Sequence, residues 1–583
     1  MDRATIRRMD STLLDLARAW QAADPDPATA REVDSLIETG EEADLVDRFR
    51  GELEFGTAGL RGLLGAGPNR MNRAVVRRAT AGVARHLLAT VPDAARRGVV
   101  VARDARRGSD DFALETAGVL AGHGIRVHFF VDRAPTPLGA FGVKELGAAA
   151  GVVVTASHNP PAYNGYKVYW ENAAQIVPPV DAGIAAEIAS AGPANAIPFL
   201  PRAEAEARGL FVPLGDELAD RYHEAISALV LHAAQGRDLG IVYTAMHGVG
   251  ARFTLDALAR AGFANVHPVP EQNEPDGAFP TVSFPNPEEP GALDLALALC
   301  EETKADILLA NDPDADRLAA GARDRDGRMR LFSGNELGVL LGAYCLTWRT
   351  PRPDKPLVLT TIVSSSQLGV LARDLGAAYA ETLTGFKWIE NRALELERAE
   401  GRTTVFGYEE ALGYSVGDVV RDKDGISAAL VFADLAGWCR VRGVTPWGYL
   451  EEIQRAHGLF LSAQKSVTIP GAEGAATIAG IMDGFRAGPP AVIGGFAVVE
   501  TRDYRAGVPG LPKSNVVAYL LEGGSRVTLR PSGTEPKIKY YFELRETPGE
   551  GEGLPAAKAR GDERLAALVT DFVRLAVERG QPE

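Results

Sequence analysis

An apolar run that stops abruptly constrains the fold of this chain more than any other feature. The run Gly151-Val152-Val153-Val154 is followed by Thr155-Ala156-Ser157-His158-Asn159-Pro160-Pro161. The Asn-Pro-Pro sequence cannot continue a hydrogen-bonded ladder and favours a turn. The run therefore predicts a buried parallel strand. Ser157 is expected on an exposed loop at its carboxyl end, which is where open α/β sheets bind ligands.

A serine on such a loop has two interpretations. It can act as an alcohol nucleophile if a base, a cation or a metal assists the loss of its proton. Ser, His and Asn are also common in ordinary polar turns, so the hexapeptide alone leaves both interpretations open.

Size and composition limit the classes of protein. A length of 583 residues predicts roughly three to five domains, and 46% hydrophobic with 24% charged residues is typical of a soluble globular protein. No apolar run approaches the roughly 18 residues of a membrane helix, and the N-terminus lacks the apolar core of a signal peptide. The protein is therefore expected in the cytoplasm, without a membrane partner.

Cysteines and net charge exclude further classes. Three widely spaced cysteines form neither a disulfide scaffold nor a zinc pattern. A net charge of -15 argues against a nucleic-acid partner. An enzyme of phosphorylated substrates with this charge would need its cations concentrated at the active-site loops.

Alternating strand and helix patterns predict an α/β chain of four domains. Two helices, over 8–22 and 28–49, are expected before the first strand, and alternating β and α segments then predict a parallel sheet. Similar βα sets follow, and short strands with a closing helix over 556–579 predict an α+β domain at the end. The expected boundaries are 1–205, 206–324, 325–460 and 461–583.

A second loop carries aspartates at alternate positions. The predicted strand 305–310 ends in Asn311-Asp312-Pro313-Asp314-Ala315-Asp316-Arg317. Carboxylates so spaced project to one side of an extended segment and can converge on a hard cation such as Mg²⁺. An EF-hand loop that starts at Asp312 is excluded. Its sixth position requires glycine but holds Arg317, and its twelfth requires glutamate but holds Arg323. A solvated acidic turn is the alternative, but crowded carboxylates would repel one another without a cation.

Three glycine-containing turns carry cations or hydroxyl groups. Arg61 lies in the segment 55–62, and Lys387 follows a glycine at the start of a predicted helix. Ser532-Gly533-Thr534 lies between Arg530 and Lys539, where backbone amides, hydroxyls and cations would suit a phosphate. Each of these turns, taken alone, is more typical of an ordinary surface turn.

A fourth kind of loop contains a glutamate suited to sugar hydroxyls. The predicted strand 404–406 leads into Gly407-Tyr408-Glu409-Glu410-Ala411-Leu412-Gly413-Tyr414. A glutamate at the end of a strand can accept hydrogen bonds from vicinal hydroxyls. A glutamate that opens a helix is the alternative.

These loops, in this order, resemble those of the α-D-phosphohexomutases, the family of phosphoglucomutase and phosphomannomutase. The segment 155–160 with Lys167 is similar to the family's phosphoserine loop, and 311–317 is similar to its metal loop. The segment 407–414 resembles its sugar loop, Gly-Glu-x-Ser-Gly, although Ala411 stands in the position of the serine. The segment 530–539 resembles its phosphate-binding loop.

The resemblance implies a fold and a set of site residues. The implied fold has three tandem α/β domains with mixed sheets and a C-terminal α+β domain, arranged in a heart shape around a central cleft. Mg²⁺ would be bound by Asp312, Asp314 and Asp316, with Ser157 as the fourth contact. The catalytic residues would be Ser157, Arg61, and either Lys167 or His158 for proton transfer. The substrate would be bound by Arg317, Lys387, Glu409, Ala411, Arg530, Ser532, Gly533, Thr534 and Lys539.

The resemblance also implies a reaction. The expected enzyme interconverts glucose 1-phosphate and glucose 6-phosphate through a phosphoserine and a sugar 1,6-bisphosphate. Ala411 removes one hydroxyl partner for the sugar, worth about 0.5 to 1.5 kcal/mol, so a phosphopentomutase or phosphomannomutase is the alternative. A non-catalytic sugar-phosphate-binding protein or a metal-dependent phosphatase is the alternative of another class. The expected partners are small-molecule sugar phosphates, and monomer and homodimer are both compatible with the sequence.

Overall fold

The computed structural model describes residues 10–55, 59–469, 474–532 and 537–581. The chain forms two compact units. Unit 1 comprises Met1–Ala322, Met329–Leu331 and Gly413–Val441, and unit 2 comprises Arg323–Arg328, Phe332–Leu412 and Arg442–Glu583.

Unit 1 begins with three helices, α1 (Ser11–Ala23), α2 (Pro27–Thr39) and α3 (Glu42–Phe49). Asp26 caps α2 through its side chain, with a proline at the first helical position. Gly40 ends α2 with a φ of 76°, a left-handed conformation that favours glycine. The prediction of one helix over 28–49 is therefore wrong, because Gly40 divides that segment in two.

The first sheet has the strand order β1-β5-β4-β2-β3-β6. Strands β4, β2, β3 and β6 are parallel, whereas β5 is antiparallel to β1 and β4, so the sheet is mixed. Its elements are β1 (Leu60–Leu63), α4 (Arg73–Thr90), α5 (Ala94–Arg97), β2 (Val99–Arg103), α6 (Ser109–Gly122), β3 (Val127–Phe130), α7 (Thr136–Leu146), β4 (Ala150–Val154), β5 (Tyr163–Tyr169), α8 (Val180–Ala189), α9 (Arg202–Ala207) and β6 (Phe211–Leu214).

Strand β4 is buried on both faces, which explains its unbroken apolar run. Val152 and Val154 belong to the same core cluster as Ala113 and Leu120 of α6. Val153 points the other way, toward Gly139 of α7. The parallel strand predicted before Ser157 is therefore present, between two helical layers.

The second sheet of unit 1 has the order β11-β10-β9-β7-β8. Its elements are α10 (Asp216–Ser227), β7 (Ile241–Thr244), α11 (Ala251–Arg260), β8 (Val266–Pro268), α12 (Asp294–Thr303), β9 (Ile307–Asn311), β10 (Leu318–Arg323) and β11 (Met329–Leu331). Strand β15 (Gly413–Val416) and helix α16 (Gly425–Val441) also belong to unit 1. Helix α16 packs against α11 and β9, and it is apolar and buried over most of its length.

Unit 2 contains a parallel set of strands in which β12 pairs with β13 and with β14. The elements are α13 (Gly334–Trp348), β12 (Pro356–Thr361), α14 (Gln367–Asp374), β13 (Ala378–Thr382), α15 (Phe386–Glu400), β14 (Thr403–Glu409) and α17 (Pro446–His457). Ser333 and Glu336 form a capping box that opens α13.

The fourth sheet, also in unit 2, is antiparallel with the order β16-β21-β20-β19-β18-β17. Its elements are β16 (Leu459–Thr468), α18 (Gly474–Ala487), β17 (Val492–Ile493), β18 (Phe496–Asp503), β19 (Val517–Leu521), β20 (Arg526–Pro531), β21 (Lys537–Glu546) and α19 (Leu554–Val577). The prediction of α/β regions followed by an α+β region is confirmed. The boundaries at 205, 324 and 460 stay predictions.

Within the described residues, no helix is both long enough and apolar enough to cross a lipid bilayer.

Candidate active site

Ser157 lies in the turn that ends β4, which we call the serine loop (residues 155–163). Its φ is 52°, a left-handed conformation that is uncommon for a non-glycine residue. The amide of Ser157 donates to the hydroxyl of Thr155 at 2.8 Å. Ser157 is only 1% exposed, so the expectation that it lies exposed is wrong, although Ala162 of the same loop is exposed.

The hydroxyl of Ser157 contacts the loop that follows β9, which we call the aspartate loop (residues 312–317). Its Oγ donates to Oδ2 of Asp312 at 2.7 Å. The Nδ1 of His158 lies 3.3 Å from the same Oγ. The structure thus joins two predicted loops that are far apart in sequence.

Asp312, Asp314 and Asp316 converge as their spacing predicts. Each offers a carboxylate oxygen within 4.8 Å of the others, and all three side chains are buried. The Oδ1 atoms of Asp314 and Asp316 are buried without a hydrogen-bond partner among the described residues. Buried carboxylate oxygens that accept no hydrogen bond are the kind of oxygen ligand that Mg²⁺ prefers.

Two lysines balance part of this negative charge. Lys167 of β5 donates to Asp314 at 2.7 Å and to Asp316 at 2.6 Å. Lys423 lies 2.9 Å from Asp316, in a segment that returns to unit 1 from far along the chain. Thr136 at the start of α7 donates its hydroxyl to Asp314 at 2.6 Å.

The pKa values reflect burial and these neighbours. Burial and repulsion by Asp314 and Asp316 hold the pKa of Asp312 well above its usual range. Burial also opposes ionisation of Asp316, but the charges of Lys167 and Lys423 outweigh it, and the pKa of Asp316 is lowered. For Lys167, the attraction of Asp314 and Asp316 outweighs desolvation, so its pKa is raised and it is a cation.

His158 has the opposite character. Burial, together with the positive charges of Arg317 and Arg61, holds its pKa well below the usual value. Its ring lies against that of Phe284, with the centroids 6.3 Å apart. The imidazole is therefore neutral at physiological pH and able to accept a proton.

Arg61 and Arg317 flank the same group. Arg61 in β1 donates to the side chain of Asn159 in the serine loop at 3.3 Å. The amide of Arg317 donates to Asp312 at 3.0 Å, and its guanidinium lies 3.7 Å from Glu288. Gly56, Thr57 and Ala58 of the predicted Arg61 turn lie outside the described residues.

In unit 2, the structure brings together the predicted sugar-loop residues. Glu409 ends β14 and accepts a hydrogen bond from the amide of Gly385 at 3.1 Å. Lys387 lies in the first turn of α15 and is buried, with Nζ 5.1 Å from the ring of Trp388. Ala411 follows β14 in a half-buried position.

The predicted phosphate residues lie on β20 and β21 of the same unit. Arg530 and Lys539 are register partners, and the amide of Ser532 donates to the carbonyl of Lys537 at 2.7 Å. Gly533 and Thr534 lie outside the described residues. Burial and the charge of Glu410 raise the pKa of Tyr541, which also hydrogen-bonds Arg530, so this strand pair faces the sugar loop within unit 2.

Some residues of the site were not among the sequence predictions. Thr136 gives no signal in the sequence, because one hydroxyl beside a proline is unremarkable. Lys423 lies in the charged segment 421–425, whose density of charge was a usable signal. Arg106, which contacts the serine loop, binds backbone carbonyl groups, and these leave no trace in a sequence.

Comparison with known families agrees with this geometry. Residues 52–194, 220–325 and 333–451 match the phosphoglucomutase/phosphomannomutase alpha/beta/alpha domains I, II and III, and residues 490–559 match the C-terminal domain. The chain belongs to the phosphoglucomutase/phosphomannomutase family. The expected four-domain architecture and the expected class of enzyme, a phosphosugar mutase, are thereby confirmed.

Individual relatives carry different substrate names. A protein of Schizosaccharomyces pombe named probable phosphoribomutase is 39% identical over 565 residues, covering 92% of this chain and 94% of the relative. A probable phosphomannomutase of Haemophilus influenzae is 40% identical over 481 residues, covering 82% of this chain and 93% of the relative. The crystal structure of a putative phosphomannomutase from Thermus thermophilus has a TM-score of 0.67 at 25% identity, covering 90% of this chain and 99% of that one.

Proposed function

We propose that Ser157 carries the phosphoryl group that this mutase exchanges with sugar phosphates. The observation that supports the proposal is the 2.7 Å contact between Ser157 Oγ and Asp312 beside two further buried carboxylates. A nucleophile buried against a cation site is arranged for phosphoryl transfer, which depends mainly on positioning and charge neutralisation.

Asp312, Asp314 and Asp316, with the oxygen of Ser157, would hold Mg²⁺. When bound, the cation would draw charge from the oxygens of the transferring phosphoryl group. Arg61 binds Asn159 of the serine loop and would offer a permanent cation to the same oxygens. In the proposed cycle, phospho-Ser157 gives its group to a hydroxyl of the sugar monophosphate, and the other phosphate of the resulting bisphosphate returns to Ser157.

His158 and Lys167 are the two candidates for proton transfer. His158 is close to Ser157 Oγ and neutral, so it can accept a proton from the attacking hydroxyl. Lys167 is a cation, so it can donate one. The pH–rate profiles of His158→Gln and Lys167→Met separate them, because removal of the true acid or base removes the corresponding limb of the profile.

Unit 2 supplies the proposed substrate-recognition residues. Glu409 accepts hydrogen bonds from the sugar, and Lys387 offers a cation beside it. Arg530, Lys539 and the segment 532–534 hold the phosphate that does not react. Among the described residues, Glu409 accepts a hydrogen bond from the amide of Gly385, and its carboxylate has further lone pairs for sugar hydroxyls.

For the sugar, we propose a preference for pentose 1-phosphates. The relative named probable phosphoribomutase spans almost the whole of both chains, and Ala411 lacks the hydroxyl that the hexose-type sugar loop provides. Hexose 1-phosphate is the second candidate, because the phosphomannomutase relative is as similar over a shorter stretch.

Two assays test the proposal. The first compares kcat/KM for ribose 1-phosphate, glucose 1-phosphate and mannose 1-phosphate, and a glucose advantage above about tenfold would reverse the substrate assignment. The second measures free phosphate against isomerised product. Steady release of phosphate would indicate a phosphatase, and neither product would indicate a binding protein.

A further inference from the structure

Arg106 gathers the backbone of the serine loop around one buried guanidinium. It lies in the turn that follows β2, and its side chain is 0% exposed. One terminal nitrogen donates to the carbonyls of Ser157, at 2.6 Å, and of Asn159. The other donates to the carbonyls of Pro160 at 3.0 Å and Tyr163 at 3.2 Å. One side chain thus satisfies four carbonyl groups of this loop.

Two side chains hold the guanidinium, and a third segment packs on the backbone of its turn. Its Nε lies 3.4 Å from Oδ2 of Asp104, whose Oδ1 accepts from the Arg106 amide and from Ser109. The ring of Phe279 lies 5.0 Å from the guanidinium carbon. A Cβ on Gly277 would lie 2.5 Å from the carbonyl oxygen of Ala105, so that segment packs closely on the Arg106 turn. These contacts lie outside the serine loop, so they fix the position of Arg106 independently of the four carbonyl groups that it binds.

The loop needs such a partner for two reasons. Ser157 has a left-handed backbone conformation, which is strained for a residue with a side chain and persists only where surrounding contacts impose it. Four carbonyl oxygens directed at one point also repel one another, and a buried carbonyl without a donor is costly. The buried guanidinium of Arg106 donates to all four carbonyl groups, and these bonds hold the loop in this conformation.

We propose that Arg106 is a positioning residue for phosphoryl transfer, acting through the serine loop on the placement of Ser157 Oγ. The proposal rests on the function proposed for Ser157. Arg106 bonds to the carbonyl of Ser157 and leaves its hydroxyl to Asp312. Loss of the guanidinium lets the loop relax and moves Oγ away from the aspartates. A displacement of about 1 Å at a reacting atom can cost about a hundredfold in rate.

The test compares Arg106→Ala, Arg106→Lys and a matched control, Arg97→Ala. Arg97 also donates to loop carbonyls, those of Gly147 and Ala148, but these precede β4 and lie outside the serine loop. For each variant, kcat and KM are measured, and mass spectrometry measures how fast Ser157 is phosphorylated by a sugar bisphosphate. Guanidinium chloride at low millimolar concentration is then added to Arg106→Ala.

The expected result is a fall in kcat and in the phosphorylation rate of about a hundredfold for Arg106→Ala, with KM within about threefold of wild type. Guanidinium should restore part of the rate, and Arg106→Lys should lie between wild type and Arg106→Ala. Arg97→Ala should keep its kcat and show no rescue. If Arg106→Ala does not fold, Arg106→Lys is the test variant, and the proposal predicts that its kcat falls while its KM stays close to wild type.

Unchanged kcat in a folded Arg106 variant would overturn the proposal, as would a change confined to KM. The function proposed for Ser157 fails separately, if Ser157→Ala retains turnover. An inactive Ser157→Ala with a fully active Arg106 variant would therefore reject the positioning role alone.

Discussion

The hydroxyl of Ser157 lies 2.7 Å from the carboxylate of Asp312, although 155 positions separate them along the chain. Each follows a buried parallel strand, β4 in the first sheet and β9 in the second, and both sheets belong to unit 1. The two strand ends face each other across the serine and aspartate loops. Every role that we propose for this site depends on that contact.

Removal of Lys167 should destabilise the metal-free protein and increase its response to Mg²⁺. Lys167→Met removes the buried ammonium that pairs with both Asp314 and Asp316, and breaking a buried ion pair in this way costs about 3 to 5 kcal/mol. A cation bound only by the folded state compensates part of this loss. Thermal denaturation with EDTA and with Mg²⁺ should show a lower Tm in EDTA and a larger gain with Mg²⁺ than in wild type. An unchanged Tm in EDTA would contradict the electrostatic account.

Gly248→Ala should weaken metal binding without touching a ligand. A Cβ at Gly248 would lie 2.4 Å from both Cα and the carbonyl oxygen of Pro313, which stands between Asp312 and Asp314. Since backbone cannot give way as a side chain can, the aspartate loop must shift, and Mg²⁺ affinity should fall at least about tenfold. Titration calorimetry measures this. The control is Gly480→Ala in α18, where nothing lies within 4 Å, and its Mg²⁺ affinity should not change.

Ala411→Ser should move substrate preference toward hexoses. The added hydroxyl supplies the hydrogen-bonding group that the hexose-type sugar loop has at this position, worth about 0.5 to 1.5 kcal/mol or roughly two- to twelvefold. The ratio of kcat/KM for glucose 1-phosphate to that for ribose 1-phosphate should rise by that factor. A ratio that falls or stays constant would remove Ala411 from the specificity determinants.

Glu410 should make stability depend on pH near neutrality. Burial and the adjacent Glu409 raise its pKa from 4.5 to about 7, and it accepts hydrogen bonds from Ser364 and Thr361. Between pH 4.5 and about pH 7, the carboxyl of Glu410 keeps its proton in the folded state but loses it in the unfolded state. The free energy of unfolding therefore falls as pH rises from 4.5 to about 7, and levels off above it.

Glu410→Gln should remove this loss, because the amide does not titrate. Denaturation at about pH 5.5 and about pH 8.5 should show a smaller pH effect in the variant than in wild type. Glu522→Gln, at an exposed glutamate of the same unit, is the control and should behave as wild type. Equal pH effects in wild type and Glu410→Gln would refute the assignment.

The fold could be predicted where local patterns were strong. The continuous apolar run of β4 indicated a strand correctly, because it reflects burial on both faces. Strand β21 (Lys537–Glu546) was overlooked, although Ile538, Tyr540 and Phe542 alternate with polar residues and form the core of the fourth sheet. Its first three residues, 537–539, belong to the segment that the resemblance assigned to a phosphate-binding loop.

The site could be predicted only in part. The spacing of the aspartates carries its own physical signal, since alternate carboxylates converge on an extended segment. The burial of Ser157 depends on distant segments folding over the loop, and the charge of segment 421–425 does not reveal that Lys423 contacts Asp316. The packing of helix α16 likewise depends on distant segments, because its buried apolar surface covers α11 and β9.

The most direct test of the account is the phosphorylation of Ser157 itself. Protein incubated with a sugar 1,6-bisphosphate is digested, and the peptide that contains Ser157 is examined by mass spectrometry before and after addition of excess sugar monophosphate. We predict one phosphoryl group on Ser157, its transfer to the monophosphate in the presence of Mg²⁺, and neither label nor turnover in Ser157→Ala. A phosphoryl group found on another residue, or mutase turnover retained by Ser157→Ala, would contradict the account.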